Sequence, residues 1–129
     1  CLACHSPHNS YTATLLNAKK ERFCYQCHDQ KIFKKKFTHP PVLEDCQICH
    51  QPHAGENGSL LVEAKVNDLC SQCHDAKKTH MHPTGEPHKD PRTGGPLTCV
   101  GCHNPHSADY DKLLRGSQDR ELCILCHKT

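Results

Sequence analysis

Cys46-Gln47-Ile48-Cys49-His50-Gln51-Pro52-His53 is the stretch on which the reading of this chain turns. Two cysteines stand three apart, a histidine follows the second, and a Pro-His follows three residues on. The first five residues form the pattern Cys-x-x-Cys-His, which recurs along the chain. Further copies are Cys1-Leu2-Ala3-Cys4-His5, Cys24-Tyr25-Gln26-Cys27-His28, Cys70-Ser71-Gln72-Cys73-His74, Cys99-Val100-Gly101-Cys102-His103 and Cys123-Ile124-Leu125-Cys126-His127. The six copies use all 12 cysteines.

A shuffled chain of this composition would hold about 0.1 copies of what is the pattern for covalent haem attachment. The spacing has a mechanical reason. Residues i and i+3 share one face of a helical turn. Two sulfurs so placed can each form a thioether with a vinyl group on a porphyrin edge, and the adjacent imidazole reaches the iron. A disulfide framework would not call for His after every second Cys. Structural zinc uses Cys and His, but it does not need them adjacent in every copy. The sequence therefore predicts six haem c groups, with proximal ligands His5, His28, His50, His74, His103 and His127.

Composition agrees. The chain has 129 residues, enough for one domain, and 35% of them are hydrophobic with the cysteines included. Without the cysteines about a quarter of the chain remains, against ~45–50% in an ordinary globular domain. Mean hydropathy is −0.75. Such a chain cannot build a core from side chains alone, so the haems are expected to form it. Lys+Arg is 16 and Asp+Glu is 14, which lacks the basic excess of a nucleic-acid binder. With ferric haems and ionised propionates the net charge becomes roughly −4. The one basic cluster, Lys31, Lys34, Lys35 and Lys36, reads as a solvated loop near propionates. No apolar run reaches the ~18 residues of a transmembrane helix. Residues ahead of Cys1 are expected, since mature chains rarely begin inside such a motif.

The motifs form three tandem pairs, giving one hexahaem domain of three two-haem repeats at about 1–45, 46–98 and 99–129. The first motif of each pair continues as Cys-x-x-Cys-His-x-Pro-His, ending at His8, His53 and His106. A Leu pair follows seven residues later, at Leu15-Leu16, Leu60-Leu61 and Leu113-Leu114. These leucines, with Phe23, Leu69 and Leu122, are expected to pack on porphyrin faces. Short helices are predicted at about 18–29, 66–76 and 117–127, with Asn67 and Ser117 as N-caps. The segment 84–97, containing Gly94-Gly95-Pro96, reads as a loop. The predicted fold is thus haem-cored and mostly irregular, with a few short α-helices and no significant β-sheet.

These motifs resemble the doubled Cys-x-x-Cys-His family of prokaryotic multihaem c-type cytochromes, over nearly the whole chain. The resemblance implies closely stacked haems, an exported (periplasmic or extracellular) location and electron transfer. Some similar chains polymerise into extracellular filaments. Expected partners are therefore redox proteins or further copies of the chain.

Seven histidines remain as distal ligands. His8 lies three residues after His5, at most ~11 Å away, too near to reach the other face of the same haem. It is assigned to the nearest other iron in sequence, on Cys24 and Cys27. The same logic sends His53 to the haem on Cys70 and Cys73, and His106 to that on Cys123 and Cys126. By repeat logic His39 serves the haem on Cys46 and Cys49, and His82 that on Cys99 and Cys102, with His80 and His88 competing. His5's haem then lacks a donor in the pattern. His80 of a neighbouring copy is favoured, against the same loop folding back or a ligand from upstream. Bis-His iron has no open position for substrate and favours low potentials, so an electron carrier is expected rather than an enzyme. The enzymatic alternative is a multihaem reductase working at an open first haem; a soluble periplasmic shuttle is the other.

Overall fold

Each of the six motifs folds as one turn of helix in the computed structural model, which describes residues 1–10, 12–75 and 84–127. In every motif the carbonyl of the first cysteine accepts from the second cysteine at 3.0–3.3 Å and from the histidine at 2.8–3.0 Å. The i, i+3 spacing thus places both sulfurs on one face, as the pattern requires.

The regular elements are short. Helix α1 spans Lys20–Phe23 and runs into a 3-10 turn at Cys24–Gln26. Helix α2, Pro40–Glu44, starts on a proline, which suits the first helical position. It leads to the turn Cys46–Ile48, where the Asp45 carboxylate accepts from Gln47 N–H at 3.0 Å. Helix α3 is Val66–Ser71 and α4 is Glu121–Ile124. The three predicted helices are shorter than expected, α2 was not predicted, and the expected caps do not cap. Lys65 and Arg120 hold those positions without a side-chain bond. Asn67 instead accepts from Cys99 N–H at 2.9 Å, tying the second repeat to the third.

The expectation of no significant sheet needs correcting. Strand β1, Phe37–Thr38, pairs antiparallel with β4, Ser107–Ala108. Strand β2, Gly85–Lys89, pairs with β3, Pro96–Leu97, so 84–97 is an irregular hairpin rather than a loop. Its Pro and Gly content hid the strands. Gly94, at φ +74°, is the residue that lets the tip turn back.

The polypeptide closes on very little of itself. Among the described residues the buried apolar side chains are Ala108 and Leu114. The exposed surface is 10003 Å², whereas a compact monomer of this mass would show about 6,900 Å². The chain lines something rather than filling itself. No helix among the described residues is long and apolar enough to cross a membrane.

Candidate haem-binding sites

The three Cys-x-x-Cys-His-x-Pro-His units share one local architecture. His5 bridges to Leu16, His50 to Leu61 and His103 to Leu114. The residue after each histidine donates its N–H at 2.7 Å to Leu15, Leu60 or Leu113. Leu15, Ser59, Leu60, Lys112 and Leu113 all have φ between 54° and 57°, a left-handed conformation that side chains rarely adopt. The strain aims a carbonyl. Thr14 O lies 2.8 Å from His5 Nδ1, Ser59 O 2.9 Å from His50 Nδ1 and Lys112 O 2.7 Å from His103 Nδ1. A carbonyl only accepts, so Nδ1 carries the proton and Nε2 keeps its lone pair for a metal. These carbonyl acceptors were not foreseen. Their signal was present in the constant distance from each motif to its Leu pair.

Imidazoles then meet in pairs. His5 faces His53 with ring centroids 5.9 Å apart and planes 13° from parallel. His39 faces His74 at 5.9 Å and 28°, and His50 faces His106 at 5.9 Å and 30°. Metal–imidazole bonds of about 2 Å, plus about 1.1 Å from each nitrogen to its ring centre, call for about 6.2 Å between centroids. The separation fits one iron between two rings. His39 is oriented like the proximal histidines, with Nδ1 3.0 Å from Pro105 O. Burial lowers the His106 pKa, helped by repulsion from His50, His39 and His28, which favours the neutral, ligating form.

These pairings correct the expected ones. His53 meets His5 rather than His74, His106 meets His50 rather than His127, and His39 meets His74 rather than His50. Pro-His does reach another haem's histidine, but one in the preceding repeat, because successive repeats stack there. His8 is exposed and makes no ring contact with His28, which faces the edge of Phe33 at 6.5 Å. His5 finds its partner inside its own chain. The ring expected to need His80 of another copy thus faces His53 instead. His80 and His82 lie outside the described residues. His88 sits exposed on β2.

Sulfurs of consecutive motifs also meet. Burial and a hydrogen bond with Cys46 push the Cys24 thiol up to about 11, and burial together with Cys99 does the same to Cys70. Cys49 is raised by burial and then by Cys73, and Cys102 by burial and then by Cys126. First cysteines thus approach across repeat boundaries, and second cysteines approach within a repeat. No cysteine is in a disulfide. Among the described residues no three His, Cys, Asp or Glu cluster as a zinc site would require. The donors come as Cys pairs beside His pairs, the set that a covalently attached haem uses.

A chain with this donor set, repeated, is a haem-binding protein of the c type. The doubled CXXCH motif family matches residues 1–33, 39–79 and 88–129, and the chain belongs to that family of multihaem c-type cytochromes. Over 142 residues it is 35% identical to the multiheme cytochrome MtrA of Shewanella baltica (strain OS185), covering 98% of this chain and 41% of that protein. The chain therefore spans about two fifths of that relative's length.

Proposed function

We propose that the chain is an electron conductor carrying six c-type haems in sequence order. The observation that carries this is the alternating approach of cysteine sulfurs, Cys24 to Cys46, Cys49 to Cys73, Cys70 to Cys99 and Cys102 to Cys126. Each sulfur would be an attachment point on a porphyrin edge, so consecutive haems from the second to the sixth would be held close together. Each haem would be held by the two cysteines and the histidine of its motif. Three irons would take His53, His39 and His106 as sixth ligands. Haem supplies a one-electron Fe(III)/Fe(II) couple. The polypeptide would fix its spacing, keeps Nε2 of His5, His50 and His103 available, and offers a second imidazole opposite His5, His50 and His74. An iron held between two imidazoles would have no site for substrate, which supports transfer over catalysis.

Partners would be redox proteins docking where haem edges reach the surface. An exported, periplasmic location suits the likeness to multiheme cytochrome MtrA. The test is mass spectrometry of the denatured protein with film voltammetry of the native one. Six haems should remain attached, and all six should exchange electrons with one electrode. Fewer haems, or irons isolated from the electrode, would overturn the proposal.

A further inference from the structure

The two Pro-His histidines that pair do so by one rule. His53 of the second repeat faces His5 of the first, and His106 of the third faces His50 of the second. The rule is a translation by one repeat toward the N-terminus. The units are locally alike, with the same bridge to leucine, a left-handed first leucine of the pair (Leu15, Leu60, Leu113) and the same carbonyl on Nδ1. His8 occupies this position in the first unit, on the strap His5-Ser6-Pro7-His8. Applied to His8, the translation leads ahead of Cys1, to no Cys-x-x-Cys-His motif of residues 1–129. His8 is exposed, as is its counterpart His53.

We propose that His8 is an axial ligand for the iron of a haem that residues 1–129 do not attach. That haem would be held by another Cys-x-x-Cys-His-x-Pro-His unit stacked ahead of the first, as the first is stacked ahead of the second. Nε2 of neutral His8 donates its lone pair to the vacant axial position of a His-ligated ferric or ferrous haem. No electron or proton needs to move. The unit is supplied either by a preceding segment of a longer polypeptide or by a second copy of this chain. This rests on reading the facing histidines as axial pairs.

The experiment compares the haem-loaded protein with its His8→Ala, His53→Ala and His88→Ala variants at a dilution where it is monomeric. Electron paramagnetic resonance should show every iron of His8→Ala ligated as in the unsubstituted protein, whereas His53→Ala should turn one iron high-spin. The second arm adds a haem peptide with a single Cys-x-x-Cys-His, acetylated at its N-terminus and labelled with ⁵⁷Fe. Mössbauer spectra should show it captured as low-spin iron at least tenfold better by the unsubstituted protein and by His88→Ala than by His8→Ala. Sedimentation names the source. Concentration-dependent association abolished by His8→Ala assigns a second copy, and a protein monomeric throughout assigns a preceding unit. A high-spin iron created inside the chain by His8→Ala, or capture indifferent to that substitution, overturns the proposal. His53→Ala leaving all irons unchanged would instead defeat the axial-pair reading beneath it.

Discussion

At the scale of single residues, what spacing fixes was readable and what stacking fixes was not. Each proximal histidine follows its cysteine directly, so a single helical turn determines its place. The partner across the ring is chosen by which repeat lies against which. A strap of three residues dictates that His53 leaves its own haem, but not in which direction. Replacing His53 with Ala should therefore turn the iron beside His5 high-spin and leave that beside His74 low-spin, which a crystal structure of the variant would show directly. A five-coordinate iron between Cys70 and Cys73 would reinstate the sequence-nearest assignment. The left-handed residues offer a second test. Lys112 is exposed and has φ 54° while its carbonyl holds His103. A β-branched side chain tolerates that conformation badly, and the left-handed form costs about 1–2 kcal/mol for L-residues. Lys112→Val should lower the denaturation midpoint and broaden the signal of the His103 iron, while Lys112→Gly should do neither.

At the scale of elements, the helices were legible in outline and the strands were missed, because the two-residue strands β1, β3 and β4 leave no alternation to detect and β2 carries Gly and Pro. Yet β1 and β4 position two of the ligands. His39 follows β1 and His106 precedes β4, and His39 N–H donates to His106 O at 3.0 Å. Ser107, on β4, is fully buried; its hydroxyl donates to Ile32 O at 2.9 Å and accepts from Lys35 N–H at 3.3 Å. Ser107→Ala strands both groups, at a cost of about 1–3 kcal/mol. The expected result is a lower melting temperature, together with perturbed spectra of the irons facing His39 and His106. The β2–β3 hairpin serves the fifth motif in a similar way. Asp90 is buried and accepts from Arg92 N–H and Nε–H, both at 2.9 Å, while Arg92 donates to Gly101 O at 2.9 Å. A Cβ on Gly101 would meet Leu97 Cδ1 at 3.2 Å, which explains the glycine inside that motif. Hydrogen bonds from Arg92 hold the Asp90 pKa at about 2, below its usual 3.8. Its stabilising effect is complete above the usual value and disappears as pH falls through about 2. The stability gap between the native protein and Asp90→Asn should accordingly be constant above pH 5 and close between pH 4 and pH 2.

At the scale of the whole molecule, the sequence told most through what it lacked. Too few apolar residues for a core led to the expectation that the cofactor is the core, and the folded polypeptide by itself leaves a large surface uncovered. It exposes about 3,000 Å² more than a compact protein of its mass. Its two buried apolar side chains among the described residues, Ala108 and Leu114, cannot offset the ordering of well over a hundred residues, at roughly 1–2 kcal/mol each for the backbone alone. Isolated helices of four to six residues are far below the length that is stable in water. On the proposed reading, iron between two imidazoles and thioethers at the motif cysteines would supply the missing core, so attachment and folding would form one thermodynamic step. Chain produced without haem-attachment machinery, and kept reduced, should give a circular dichroism spectrum of disordered polypeptide and no cooperative thermal transition. Haem-loaded chain should retain structure well above the temperature at which ordinary domains of this size melt. A sharp, reversible melting transition in the haem-free chain would mean that side-chain packing alone specifies the fold, and would remove the reason for treating cofactor and core as the same object.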